Sequence, residues 1–356
     1  MNEMIQKVIA NMEEEGLDQI LVSSPSSLLY LAGIHVAPGE RLCAMVIGTD
    51  GTCRLYGNRL FALPESGDYE LIEYDDTDDS VSVLEKGIKP GKLGIDKFWP
   101  GGFAVRLMEK RPDVRLVLGS APVDEARMYK TPDEIRKMKA SSLANDRAIE
   151  KTMYGLRLGE TEADVADRYL KNAKAEGASG NSFDALICFG PNAAEPHHET
   201  GMDVLKTGDT VILDVGLLLD GYCSDMTRTC FMGGMTDEQK KVYDIVRKAN
   251  AAGRAMAKPG IPLSEVDRAA RDVITAEGYG EYFLHRTGHG IGLQVHEPPD
   301  VSASSKDIII KPGMCFSVEP GVYLKGRFGV RIEDLVAITE NGAETLNELP
   351  REPLIF

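Results

Sequence analysis

Apolar residues recur along this chain with two spacings, and the switches between them mark out its elements. Met4 to Glu15 has the spacing of an amphipathic helix, Gln19 to Val22 reads as a strand and Leu42 to Ile47 as a buried strand. Lys92 to Asp96, opened by Pro90-Gly91, predicts another strand, Gly101 to Lys110 a helix and Val114 to Leu118 a strand. That alternation predicts a small α/β domain over residues 1–121. The acidic run Tyr74 to Ser80 reads as a solvated turn, and the turn-rich Ser120 to Thr131 as a linker.

From residue 122 the periods lengthen. Thr131-Pro132-Asp133-Glu134 starts a helix, with Thr131 as cap, Pro132 at the first helical position and Glu134 in the first turn. Ile135, Met138, Leu143, Ile149 and Met153 trace its apolar face to about Tyr154, and Thr161 caps a second helix through Ala175. Two apolar runs, Val211 to Leu213 and Leu217 to Leu219, then precede Asp220-Gly221, which predicts a β-hairpin with Asp214 and Asp225 on adjacent strands.

The pattern returns. Asp237 to Ala257 and Ser264 to Ala276 read as helices, and KPGMCFSVEPGV (Lys311 to Val322) aligns without gaps on KTGDTVILDVGL (Lys206 to Leu217). Glu319 then matches Asp214, and Glu333 in RIED corresponds to Asp225 in SDMTR. Leu158-Gly159, Glu162 and Val165 recur as Pro259-Gly260, Leu263 and Val266. Residues 122–356 are therefore a duplicated helix, helix, hairpin unit. Its copies are expected to pair into a curved antiparallel sheet backed by helices, an α+β arrangement.

Composition narrows the partners. Forty Lys and Arg against 56 Asp and Glu give a formal net charge of −16, which argues against nucleic acid or an anionic membrane as partner. No apolar stretch reaches spanning length, and MNEMIQKVIANMEEEG has an acidic amphipathic pattern rather than that of a signal peptide, so a cytoplasmic location is expected. The six cysteines form no C-x-x-C pair and read as buried thiols.

Two aspartates at strand ends would ordinarily be solvated. If the two copies face each other, however, Asp214, Asp225, Glu319 and Glu333 converge, and four carboxylates cannot stay ionised together in a sheet interior without cations. Two divalent ions balance them, and oxygen ligands with one imidazole suit manganese, iron or cobalt better than a thiolate-seeking metal. HRTGHGIGLQVHEPP supplies the imidazole: His285, His289 and His296, half of the six histidines, fall there among Gly288, Gly290 and Gly292. A second pair, His197-His198 in GPNAAEPHHETG, precedes the Asp214 strand; a site role is favoured for His197, and for His198 a place among the substrate-binding residues weighs evenly against a solvated turn. His35, on the Gly- and Pro-containing connection Tyr30 to Arg41, could reach an active site, including that of a partner subunit.

Together these motifs resemble the pita-bread metallopeptidases, the family of methionine aminopeptidase, aminopeptidase P and Xaa-Pro dipeptidase (prolidase). The resemblance runs from about residue 122 to the end, and the first third looks like the N-terminal domain of the creatinase and prolidase branch. It implies a pita-bread fold of two pseudo-symmetric halves (122–356) behind a creatinase-like domain (1–121). It also implies five metal ligands, Asp214, Asp225, His289, Glu319 and Glu333, holding two divalent ions per chain, with Asp225 and Glu333 bridging. Manganese comes first, with cobalt, iron or zinc as alternatives. By the same resemblance Glu319 shuttles a proton, and His197 and His296 polarise the carbonyl or bind the tetrahedral intermediate; Thr227, two residues after Asp225, is placed to support the ligands. His285 and Arg331 would line a proline pocket, Arg331 pairing with the substrate's C-terminal carboxylate.

The implied activity is hydrolysis of the Xaa-Pro amide bond in small peptides with proline second. The short first domain favours a dipeptidase over an aminopeptidase P acting on Xaa-Pro-Yaa. The rim formed by Glu195, His198 and Glu199 departs from many prolidases, which carry a small or apolar residue before the proline and a glycine after the first histidine. That departure leaves open another small amide as substrate. A non-catalytic binding scaffold on the same fold is the reading from a different class, and the resemblance implies a homodimer with the N-terminal domains as contacts.

Overall fold

The computed structural model describes residues 2–356, and the chain folds as two units that part between Arg127 and Met128. In the first unit the elements run α1 (Glu3–Glu14), β1 (Gln19–Val22), α2 (Pro25–Ala32), β2 (Ala44–Gly48), β3 (Cys53–Asn58), β4 (Glu70–Tyr74), α3 (Ser80–Leu84), β5 (Gly91–Ile95), α4 (Gly101–Lys110), β6 (Val114–Leu118) and α5 (Ala121–Met128). One mixed sheet, ordered β4-β3-β2-β1-β5-β6, carries them, with β1 antiparallel to β2 and parallel to β5. Ile5, Val8 and Met12, the apolar face of α1, are fully buried against Ile20 and Val22 of β1. The linker expected at Ser120 to Thr131 is largely helical. Pro122 sits in the first turn of α5, where a missing N–H is tolerated, and Val123 and Ala126 are buried. The junction therefore falls at 127/128 rather than 121/122.

The second unit begins with α6 (Pro132–Tyr154). Its capping box is formed by Thr131 Oγ1, which accepts from Glu134 N–H, and Glu134 Oε2, which accepts from Thr131 N–H. There follow α7 (Glu162–Ala175), β7 (Gly180–Asn181), β8 (Leu186–Phe189), β9 (Thr210–Val215), β10 (Leu217–Leu219), β11 (Tyr222–Cys223) and β12 (Met226–Phe231). Asp220 and Gly221 both take positive φ, 50° and 81°, the backbone that a two-residue type I′ turn requires. That turn joins β10 to β11, and β9 pairs with β12 so that Asp214 faces Thr227.

The second copy is α8 (Asp237–Met256), α9 (Ser264–Ala276), β13 (Gly288–Gly290), β14 (Glu297–Val301), β15 (Cys315–Val318), β16 (Gly321–Leu324), β17 (Phe328–Arg331), β18 (Asp334–Thr339) and β19 (Gly342–Thr345), closed by β20 (Leu354–Ile355). The copies agree in detail. Thr236 and Gln239 rebuild the capping box of Thr131 and Glu134. Fully buried Asn145 of α6 donates to Val215 O (2.9 Å), and fully buried Asn250 of α8 donates to Val318 O (2.9 Å). Each first helix thus grips its strand beside the carboxylate that the strand presents.

The copies do not form one continuous ladder. The sheets β20-β12-β9-β8 and β14-β13-β15-β18-β19 are separate, and the end of β17 and the residues leading into β18 run beside β12. There Glu333 N–H donates to Thr227 O (3.2 Å), but Thr229 Oγ1 bonds both Arg331 O (2.8 Å) and Arg331 N–H (3.1 Å). A hydroxyl takes the place of a backbone partner, which interrupts the expected single sheet. Among the described residues no helix is long and apolar enough to cross a membrane, and all six cysteines are buried.

Candidate functional site

Asp214 lies near the end of β9, Asp225 just before β12, Glu319 just after β15, Glu333 just before β18 and His289 in β13. The glycines around His289 have a steric cause. A Cβ on Gly288 would lie 1.9 Å from Ser317 O, and one on Gly290 would lie 2.4 Å from Pro298 O, so only glycine lets β13 approach both neighbours. The five side chains line one cavity of about 470 Å³, together with His197, His285, His296, Arg331 and Arg286; Phe183, Leu186, Pro196 and Val295 supply apolar wall.

Burial, reinforced by His296, depresses the His289 imidazole to about 3, so the ring is neutral. Its Nδ1 lies 3.1 Å from Gly290 O, a carbonyl that can only accept, so the proton sits on Nδ1. The lone pair of Nε2 is then left facing Asp225 Oδ2 at 3.6 Å and Glu319 Oε1 at 3.4 Å. Three acceptors converge, and none of them can donate while both carboxylates are ionised. Burial and the mutual repulsion of Glu333, Asp214 and Glu319 push the Asp225 carboxyl far above the usual carboxylate range. Glu333 moves the same way, through burial and then Glu319 and Asp214. Burial lifts Glu319 to about 7, with Arg331 opposing and Asp214 reinforcing the rise.

Among the described residues, Asp214 Oδ1, Asp225 Oδ1 and Glu333 Oε1 are buried without a hydrogen-bond partner. A buried polar atom in that condition costs about 1–3 kcal/mol, more for a charged group. Asp225, His289 and Glu333 offer ligand atoms that all lie within 4.8 Å of one another. Carboxylate oxygens with one neutral imidazole are a donor set for hard or borderline divalent cations.

A hydrogen-bonded chain holds these carboxylates. Thr227 Oγ1 donates to Glu333 Oε2 (2.8 Å) and accepts from Arg331 Nε (3.1 Å). Arg331 Nη2 reaches Asp214 Oδ2 (2.5 Å), and its Nη1 donates to Tyr323 OH (2.8 Å). The fork expected to meet a substrate carboxylate is therefore occupied within the chain, and Arg331 is only 3% exposed. His285 is occupied too. Its Nδ1 donates to Arg286 O (2.7 Å), so its Nε2 accepts from Tyr323 OH (2.8 Å), and the ring lines the cavity without a free nitrogen to offer. Arg286, which the sequence reading passed over, lines the cavity with its guanidinium bonded to exposed Asp300 (2.6 Å). Its place between His285 and the glycine-rich turn was the available signal.

His197 lines the cavity, but His198 turns away: its Nε2 contacts Glu162 Oε2 at 2.7 Å. Glu162, His198 and Asp203 form a second group close enough to hold an ion. Its chemistry differs from the first, because Glu162 already accepts from Phe189 N–H, Asn192 Nδ2 and Gly201 N–H. That cluster is saturated by donors, whereas the first is starved of them. His35 is exposed on the loop between α2 and β2 of the first unit.

Residues 136–340 match the model of metallopeptidase family M24, and residues 4–129 match that of the creatinase/prolidase N-terminal domain. An uncharacterized peptidase of Staphylococcus aureus (strain USA300) is 35% identical, the alignment covering 96% of this chain and 98% of the relative. The crystal structure of a recombinant prolidase from Thermococcus sibiricus superposes with a TM-score of 0.94 at 34% identity, over 100% of both chains. An Xaa-Pro dipeptidase from Bacillus anthracis superposes with a TM-score of 0.90 at 32% identity, over 99% of each chain.

Proposed function

Since this chain belongs to metallopeptidase family M24, we propose that it is a dinuclear metal-dependent peptidase that hydrolyses the Xaa-Pro bond of dipeptides. The observation that carries the reading is the set of buried acceptors without donors: Asp214 Oδ1, Asp225 Oδ1, Glu333 Oε1 and the inward lone pair of His289 Nε2. Asp214, Asp225, His289, Glu319 and Glu333 would hold two divalent cations, with manganese the first candidate for so carboxylate-rich a set and cobalt, iron or zinc the alternatives. Cations held there supply a hydroxide nucleophile near neutral pH and polarise the scissile carbonyl.

The chain's own groups do the rest. Glu319, in contact with Ser317 Oγ and His289 Nε2, carries the proton to the leaving nitrogen. His296 packs on His289 with ring centroids 4.1 Å apart, and burial, with Arg286, lowers its basicity, so a neutral ring offers one N–H to the carbonyl oxygen. His197 faces the same cavity from the opposite loop. Arg286, rather than Arg331, meets the free carboxylate of the prolyl residue, because its ion-pair partner, Asp300, is exposed and easily displaced. The names of the superposing proteins, prolidase and Xaa-Pro dipeptidase, support proline at the second position. The homodimer implied by the family resemblance is part of the proposal and is checked by sedimentation.

A panel of an Xaa-Pro dipeptide, an Xaa-Pro-Yaa tripeptide and a methionyl peptide, with metal content measured on the same sample, tests the reading. Release of proline from the dipeptide by metal-loaded protein supports it. Preference for the tripeptide moves the assignment to aminopeptidase P, and a metal-free, inert protein returns it to a binding scaffold.

A further inference from the structure

We propose that Glu162 and His198 are positioning residues that pin both ends of the loop Phe189–Gly201 and thereby hold His197 on the cavity wall. The inference deepens the peptidase reading and rests on it. Glu162, the first residue of α7, is fully buried, and its carboxylate takes four donors. Oε1 accepts from Phe189 N–H (2.9 Å), where the loop leaves β8, and from Asn192 Nδ2 (2.9 Å). Oε2 accepts from Gly201 N–H (3.0 Å), at the far end, and from His198 Nε2 (2.7 Å), the neighbour of His197. The far end is also tied to the start of α7, where Glu162 N–H and Ala163 N–H donate to Asp203 O (3.1 Å) and Gly201 O (2.9 Å). In the middle, Ala193 O lies 1.9 Å from where a Cβ on Gly329 would stand, so the loop seats tightly against β17.

The internal repeat shows that the fold does not itself require a charge here. The matching residue of the second copy is Leu263, also fully buried, at the start of α9. A buried carboxylate is unfavourable unless its hydrogen bonds are complete, and at Glu162 they are complete only because the His197 loop supplies them. Loop and carboxylate therefore fix each other. His198 turns from the cavity to complete the set, and this orients the adjacent residue toward it.

The test uses manganese-loaded protein and the peptide of the panel that it cleaves best. His198→Ala is expected to lower kcat about 100-fold, as a misplacement of order 1 Å can, with metal content unchanged. His198→Gln, which keeps an N–H for Oε2, is expected to restore most of it. Acting through His197 predicts that His198→Ala in a His197→Ala background costs less than about twofold further. Equal losses in both backgrounds, or no loss in either, overturn the proposal. Glu162→Gln places an amide N–H against donors, and the amides of Phe189 and Gly201 are expected to exchange hydrogen at least about tenfold faster while those of β15 do not change. Unchanged exchange overturns the anchor. Exchange needs no substrate, so a protein inert on every peptide sinks the peptidase reading while the anchor is still decided.

Discussion

Thr227 Oγ1 donates a hydrogen bond to Glu333 and accepts one from Arg331, which in turn holds Asp214. One hydroxyl thus orients a carboxylate from each copy of the repeat. Thr227→Val keeps the shape and removes the link, and metal affinity is expected to fall about 10- to 100-fold, the usual cost of losing such a support; isothermal titration with manganese measures it. Arg286→Gln is expected to raise KM for an Xaa-Pro dipeptide by about 10- to 100-fold, the loss of one charge-assisted pair, and to leave hydrolysis of the Xaa-Pro amide within about twofold. Equal effects on both substrates would reassign Arg286 to structure. At this scale the residues were legible in the sequence because glycine, histidine and acidic residues recur in aligned motifs. Their hydrogen-bond partners were not. Whether the nitrogens of Arg331 point to substrate or to Asp214 and Thr227 depends on side chains more than a hundred residues away, and His285 Nε2 and His198 likewise find distant partners in Tyr323 and Glu162.

Strands and helices carry those residues through contacts that the repeat states twice. β18 is held by Asp334, wholly buried between Arg228 (2.8 Å) and Arg351 (2.7 Å). Burial works to raise the Asp334 carboxyl, but Arg228, Arg351 and the slightly more distant Arg254 (3.6 Å) outweigh it and hold it below the usual range. A folded value below the unfolded one means that the stabilisation is fully present above the unfolded pKa of about 3.9 and is lost as pH falls through the lower folded value. Asp334→Asn is therefore expected to destabilise the protein by about 3–5 kcal/mol at neutral pH, as breaking a buried pair does. In urea titrations that difference should shrink below pH 4. A difference independent of pH would remove the ion pair from the account. Capping threonines and the Asp220-Gly221 turn announced their elements, since each satisfies a local backbone requirement. β3 and β4 gave no such sign: Arg54, Gly57 and Asn58 interrupt one and glutamates the other, and tertiary pairing makes them strands. The helix α5 was hidden by the turn residues of its first turn.

Over the whole molecule, the duplication was the most legible feature, because it aligns Asp214 with Glu319 and Asp225 with Glu333 without any knowledge of their distances. The division into two units was visible from the change in period, displaced only by α5. All five candidate ligands belong to the second unit. Manganese that binds the folded state stabilises it by mass action, about 2.7 kcal/mol at one hundred times Kd. Hydrogen exchange is therefore expected to slow in β9, β12, β15 and β18 on loading and to stay unchanged in the sheet β1–β6. Slowing confined to the first unit would place the metal elsewhere.

The most direct test of the central claim is to titrate manganese into chelated protein while following proline release from an Xaa-Pro dipeptide. Turnover is predicted to be absent at the start, to rise with metal and to level at two equivalents per chain, and to stay absent throughout in Asp225→Asn. Undiminished turnover in the chelated protein, or none at any loading, would contradict it.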